Sequence, residues 1–239
     1  GLAMNCFFRY KLLLNSSLLL LLVGALLTFV NGETAWEDVW KGAVLRFTGN
    51  SLTWNPLLDE RLPRLIVLIC TGASLAASGA VMQAMFHNPL ASPSVLGISS
   101  GGCLAVVLVF ILGVRFTHPY ALPLAAFLGS FLTLCLVYAL SKWQEGRHLT
   151  NLVLTGIAIS TLLIATQGLI LYSLRDQWQL IQSITEWEAG STIDRSWQHV
   201  HMQLPLTVVG LWGCWIYRRE LNILSLGEEE ATNLGVEVL

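Results

Sequence analysis

The sequence predicts an all-α, polytopic transmembrane bundle, and three observations carry that reading. First, only 12% of its 239 residues are charged and 54% are hydrophobic, with a mean hydropathy of +0.64. A soluble domain carries about 25% charged residues, so most of this surface does not face water. Second, apolar runs recur along the chain at lengths near the roughly 20 residues that a spanning helix needs. They cover 12–30, 65–86, 95–114, 121–140, 152–171 and 202–217, the last being the shortest. Third, small residues recur inside these runs at helical spacing, which is how helices approach closely in lipid.

The first run follows Arg9 and Lys11. It is long for a signal-peptide core, and 28–32 offers no small-x-small cleavage site, so it reads as a retained span. The segment 31–63 is outer and aromatic, with Trp36, Trp40, Phe47 and Trp54 placed to anchor at headgroups. In the second run Gly72, Ala76 and Ala80 share one helix face, with Ser74 and Ser78 beside them. That face is expected to lie against another helix. Gly97 and Gly101 repeat the device in the third run, and Gly156 and Ser160 in the fifth. The polar stretch 175–201 is expected to hold a short interfacial helix over 181–188, ended by Gly190. These elements define a membrane domain over 1–217.

The remainder, 218–239, is too polar to span. Leu224, Leu226, Ala231 and Leu234 alternate with Glu228, Glu229, Glu230 and Asn233, and Gly227 and Gly235 punctuate the stretch. A short amphipathic helix at the cytoplasmic surface fits, with an apolar face for a partner. The distribution of Lys and Arg does not by itself favour a cytoplasmic N-terminus, although the shorter inner loops, around Lys142–Arg147 and Arg218–Arg219, are basic.

Several function classes fall away. A net charge of −2 leaves no basic face for nucleic acid. Cys6, Cys70, Cys103, Cys135 and Cys214 stand singly in or beside apolar runs and read as small buried hydrophobes. His199 and His201, two apart, would point to different faces of a helix, and His118 and His148 lie in loops, so no metal site is expected. Gly97-Ile98-Ser99-Ser100-Gly101 matches the G-x-S-x-G nucleophile elbow. That elbow needs a strand-turn-helix and a base, whereas here the pattern sits in an apolar helical run where small-residue packing accounts for it. An intramembrane serine hydrolase built on Ser99 is the competing reading; a truncated, non-transporting scaffold is another. No G-x-x-x-x-G-K-[ST] sequence is present. If ATP powers this chain, another polypeptide must bind it.

Arg61 and Arg64 flank Pro63 at the outer end of the second run. Spacing alone is consistent with interfacial snorkelling and equally with a docking pair for carboxylates. Asn88-Pro89-Leu90 forms the inner turn between the second and third runs: Pro89 cannot continue a helix, and Asn88 can cap a turn.

One ordered set of motifs resembles a known family. Arg61-Leu62-Pro63-Arg64, Ser78-Gly79, Gln83, Asn88-Pro89-Leu90-Ala91, Pro93, Leu96-Gly97-Ile98-Ser99, Trp187 with Gly190-Ser191, and Leu226-Gly227 with Ala231 and Leu234-Gly235 follow one another along the chain. Each is weak alone, but their joint order is similar to that of FecCD-type permeases, the membrane subunits of ATP-driven importers for iron-siderophores, haem or cobalamin. The chain resembles the N-terminal two-thirds of such a permease, with about six of the roughly ten spans that the family carries.

The resemblance implies a bacterial inner-membrane, multi-pass permease with a cytoplasmic N-terminus. Its partners would be a separate ATPase subunit, a periplasmic or lipid-anchored substrate-binding protein, a second permease copy (identical or paralogous) and membrane lipid. No cofactor would bind this chain; magnesium-ATP would sit on the ATPase. Arg61 and Arg64 would receive the binding protein, and Asn88, Pro89, Leu90 and Thr150 would lie at the cytoplasmic mouth of the pathway. Leu226, Gly227, Ala231, Leu234 and Gly235 would couple to the ATPase.

Overall fold

The computed structural model describes residues 14–24, 36–48, 54–113, 118, 120–143, 148–193 and 195–225. Among these residues all regular structure is helical, as the sequence predicts. The helices are α1 (Leu14–Gly24), α2 (Trp36–Phe47), α3 (Leu62–Phe86), α4 (Ile98–Ile111), α5 (Ala121–Lys142), α6 (His148–Ser173), α7 (Trp178–Ala189), α8 (Trp197–Ile216) and α9 (Arg218–Leu224). One turn of π-helix, Pro56–Arg61, leads into α3, and a 3-10 turn, Pro93–Leu96, leads into α4.

Among the described residues three helical segments are long and apolar enough to cross a membrane: Pro56–Phe86, Ala121–Lys142 and Leu149–Ser173. Six were expected. Among the described residues the first run contributes Leu14–Gly24 and the third Ile98–Ile111, both shorter apolar helices. The third run loses its start because Pro93 and Gly97 divert 93–97 into the 3-10 turn and a left-handed residue. Helix α8 has 20 residues, but Gln198, His199, His201 and Gln203 make its first two turns polar. Helix α7 forms where an interfacial helix was expected, starting three residues earlier, and it ends at Gly190 with φ +76°.

The chain divides into two compact units. One comprises Gly1–Ser74 with Thr192–Gly210, the other Leu75–Ser191 with Leu211–Leu239. In the second unit α4 packs on both α5 and α6. Glycine makes this possible. A Cβ on Gly129 would lie 2.5 Å from the Gly101 carbonyl oxygen, and one on Gly156 would lie 2.5 Å from that of Val95. Real Cβ atoms do not come so near backbone, so these helices touch main chain to main chain. Partner numbers fall along α5 as they rise along α4 (Gly97 beside Thr133, Gly101 beside Gly129), so the pair is antiparallel. The expectation that Gly97, Gly101, Gly156 and Ser160 serve close packing is therefore met.

Two apolar clusters flank this seam. Met82, Ala91, Leu96, Val137 and Leu152 form one. Val106, Val107, Phe110 and Ile184 form the other, with Trp187 of α7 packed against it. Placing α7 on α4 gives Trp187 a packing role that its motif did not specify.

In the first unit, hydroxyls and an amide join α3 to α8. Gln203 Nε2 donates to Thr71 Oγ1 at 2.7 Å, and the hydroxyls of Ser74 and Thr207 lie 3.2 Å apart. In a membrane such bonds contribute about 0.6 kcal/mol each. They decide which face of α3 is used. The face of Gly72, Ala76 and Ala80 is exposed, and a Cβ added at Gly72 would meet nothing within 4 Å. This corrects the expectation that the stripe is buried. Small residues permit close approach but do not compel it, and the polar side chains at 71 and 74 attract the neighbour to their own side.

Candidate functional site

The turn between α3 and α4 is built from the end of α3 onward. Helix α3 stops at Phe86, and His87 takes a left-handed φ of +50°. Asn88 then closes an Asx turn: its Oδ1 accepts from the Leu90 amide at 2.9 Å, and its carbonyl accepts from the Ala91 amide at 3.0 Å. Gln83, one turn back on α3, donates to the Pro89 carbonyl at 2.7 Å. The Pro89 carbonyl lies in the turn, past the end of the helix, and the Gln83 amide satisfies it. Ala91 is buried against Met82 and Leu152, whereas Leu90 is 86% exposed. Pro93 opens the 3-10 turn, and Gly97 at φ +75° directs the chain into α4.

Thr150 is exposed in the first turn of α6. Its neighbours Leu149 and Leu152 pack in the same cluster as Met82 and Ala91. The structure thus gathers Asn88, Pro89, Leu90 and Thr150 at one end of the second unit. Sequence reasoning missed His87. Its ring Nε2 meets the carbonyl oxygen of Leu224, the last residue of α9, at 2.5 Å. Nothing in local sequence signals a contact between residues 137 positions apart.

Before α3, Asn55 organises the first unit. Its Oδ1 caps the π-helical turn by accepting from the Leu57 and Leu58 amides at 2.9 and 3.2 Å. Its backbone amide donates to Asp59 at 2.8 Å. One terminal nitrogen of Arg46 donates to both Asp59 oxygens, at 2.8 and 2.6 Å, which fastens α2 to the turn. Gly42 lets α2 come this close, since a Cβ there would lie 2.6 Å from Asn55 Nδ2. Trp197 Nε1 donates to the Leu58 carbonyl at 2.9 Å, which adds α8 to the same knot.

The two arginines are unequal. Arg61 is 3% exposed, with its guanidinium 4.9 Å from the Trp36 ring centre. Arg64 is half-buried, and its Nε donates to Thr192 Oγ1 at 3.2 Å. They do not form two equivalent surface charges: of the pair, Arg64 is the one set near water. Leu226, Gly227, Ala231, Leu234 and Gly235 lie outside the described residues. Gly97–Gly101 opens α4 by way of a 3-10 turn, with Ser100 Oγ donating back to the Gly97 carbonyl at 3.0 Å. That is helix packing, not a strand-to-helix elbow.

Comparison with known proteins places this arrangement in a family. The model of the FecCD transport family matches residues 17–239. A hemin transport system permease protein, HmuU of Yersinia pestis, is 34% identical over 98% of this chain and 70% of its own length. A cobalamin import system permease protein, BtuC of Halobacterium salinarum, is 38% identical over 74% of this chain and 47% of its own. A probable siderophore transport system permease protein, YfiZ of Bacillus subtilis, is 36% identical over 84% and 59%. A solved structure described as an inward-facing conformation of a metal-chelate type ABC transporter superposes with a TM-score of 0.72 at 30% identity, over 95% of this chain and 69% of that one. The chain thus spans between about half and seven-tenths of the length of these relatives. With apolar helices packed through glycine and the motifs from Arg61 to Gly101 in place, the chain belongs to the FecCD transport family.

Proposed function

We propose that this chain serves as the membrane-spanning permease subunit of an ATP-driven importer in the bacterial inner membrane, with a cytoplasmic N-terminus. Its cargo is a chelated or macrocyclic compound: an iron-siderophore, haem or cobalamin. The observation that carries this reading is family membership over nearly the whole chain, among relatives named for hemin, cobalamin and siderophore transport.

The chain performs no covalent chemistry. Magnesium-ATP is bound and hydrolysed on a separate ATPase subunit, and a second permease copy completes the pathway. A substrate-binding protein docks at the outer end, where Arg64 offers a charge and the buried Arg61 holds the Trp36 ring. The turn Asn88-Pro89-Leu90, with Thr150, forms the cytoplasmic mouth. Leu226, Gly227, Ala231, Leu234 and Gly235 receive the push of the ATPase, which biases two packings of the helices. Few charges lie in the apolar runs, so cargo passes by weak contacts and not by ligation of iron.

The test is reconstitution. The full chain, copurified with an ATPase and placed in proteoliposomes, should show hydrolysis that rises when binding protein and cargo are added. Ala231→Arg should insert normally yet lower ATPase association or uncouple hydrolysis from uptake. Hydrolysis indifferent to the binding protein, with Ala231→Arg silent, would reject the reading.

A further inference from the structure

We propose that His87 is a positioning residue that ties the inner turn to the end of α9, so that displacement of α9 is carried to the turn at 88–90. The proposal rests on the coupling role proposed for 226–235, which follow α9 directly. A carbonyl can only accept, so His87 Nε2 carries the proton and donates to Leu224. The acceptor is suited to the task, because the last carbonyls of a helix have no intrahelical partner. Ser225 Oγ satisfies the Asn222 carbonyl at 2.6 Å, and His87 satisfies that of Leu224.

The backbone gives a second, independent observation. His87 occupies a left-handed conformation at a helix end, a place where glycine is the easier residue. Histidine there keeps a side chain long enough to cross to α9. The turn beyond it is braced by the Gln83–Pro89 and Asn88–Leu90 bonds. A pull on His87 therefore moves the turn as a body instead of being absorbed within it.

The experiment uses the full chain assembled with its ATPase in lipid nanodiscs, with a spin label on Asn222→Cys and the native cysteines replaced. Asparagine at 87 tolerates the left-handed backbone but is too short to reach Leu224; glutamine restores the reach. His87→Asn should raise label mobility and lower cargo moved per ATP hydrolysed several-fold, and His87→Gln should reverse both. Unchanged mobility in His87→Asn overturns the tie, as does failure of His87→Gln to restore it. Raised mobility with an unchanged transport ratio overturns the transmission. Ala231→Arg, run in parallel, separates the two failures: if it is silent, the coupling role falls, while the label still decides whether His87 holds α9.

Discussion

Gly101 and Gly129 face each other across the α4–α5 contact so closely that a methyl group on Gly129 would lie 2.5 Å from the Gly101 carbonyl oxygen. In lipid, helices gain nothing by hiding apolar surface from one another, so van der Waals contact between backbones does the joining. Gly97, Gly102 and Gly156 extend the seam towards α5 and α6. The turn at 88–90 rests on the end of this seam, since Leu96 and Ala91 pack with Val137 and Leu152.

Gly129→Val should therefore destabilise the chain by at least about 1–3 kcal/mol, the usual cost of overpacking. The obstacle is backbone, which cannot swing aside. Ala76→Leu, on the exposed face of α3, should stay within about 0.5 kcal/mol of the parent. Unfolding by SDS titration from mixed micelles compares the two. Equal losses would mean that the α4–α5 seam has no special part in stability.

Asn55→Ala should cost about 1 kcal/mol through the lost cap and should loosen the turn Pro56–Arg61. Amide exchange at Leu57 and Leu58 reads this directly, since those are the capped groups. Asn55→Asp retains an acceptor but sets a second carboxylate beside Asp59, and should be worse than alanine at neutral pH. Exchange that does not change in Asn55→Ala would remove the cap from the account.

The unequal setting of the arginines separates docking from folding. Arg64→Glu should weaken binding-protein affinity about tenfold or more, equivalent to about 1.4 kcal/mol, with a stronger effect at low salt. Arg61→Gln should act on stability, because it withdraws a buried cation from the Trp36 face, a contact worth about 0.5–2 kcal/mol. Affinity measured across a salt series, beside thermal unfolding of each variant, resolves the two. If Arg64→Glu binds as the parent does, Arg64 is not a docking charge.

Much of the turn at 88–90 was legible in the sequence. Pro89 and Asn88 announce it, because a missing amide and a short capping side chain act within a few residues. The use of Gln83 was not legible. Its motif position was clear, but whether its amide turned towards Pro89 depends on how α3 ends. The Gly72, Ala76 and Ala80 stripe misled for a related reason: the spacing was sound, yet Thr71 and Ser74 secured α8 on another face.

The sequence by itself determined the helical membrane class, the order of the apolar runs and the chain breaks at Pro89 and Gly190. These follow from apolar run length and from backbone chemistry that acts locally. Only the tertiary structure decided which glycines meet, that Arg61 is buried while Arg64 is half-buried, and that His87 reaches Leu224. Several faces of these helices are small enough to pack and several side chains long enough to bond. Which one finds a partner depends on the arrangement of helices distant in sequence, and no local spacing encodes it.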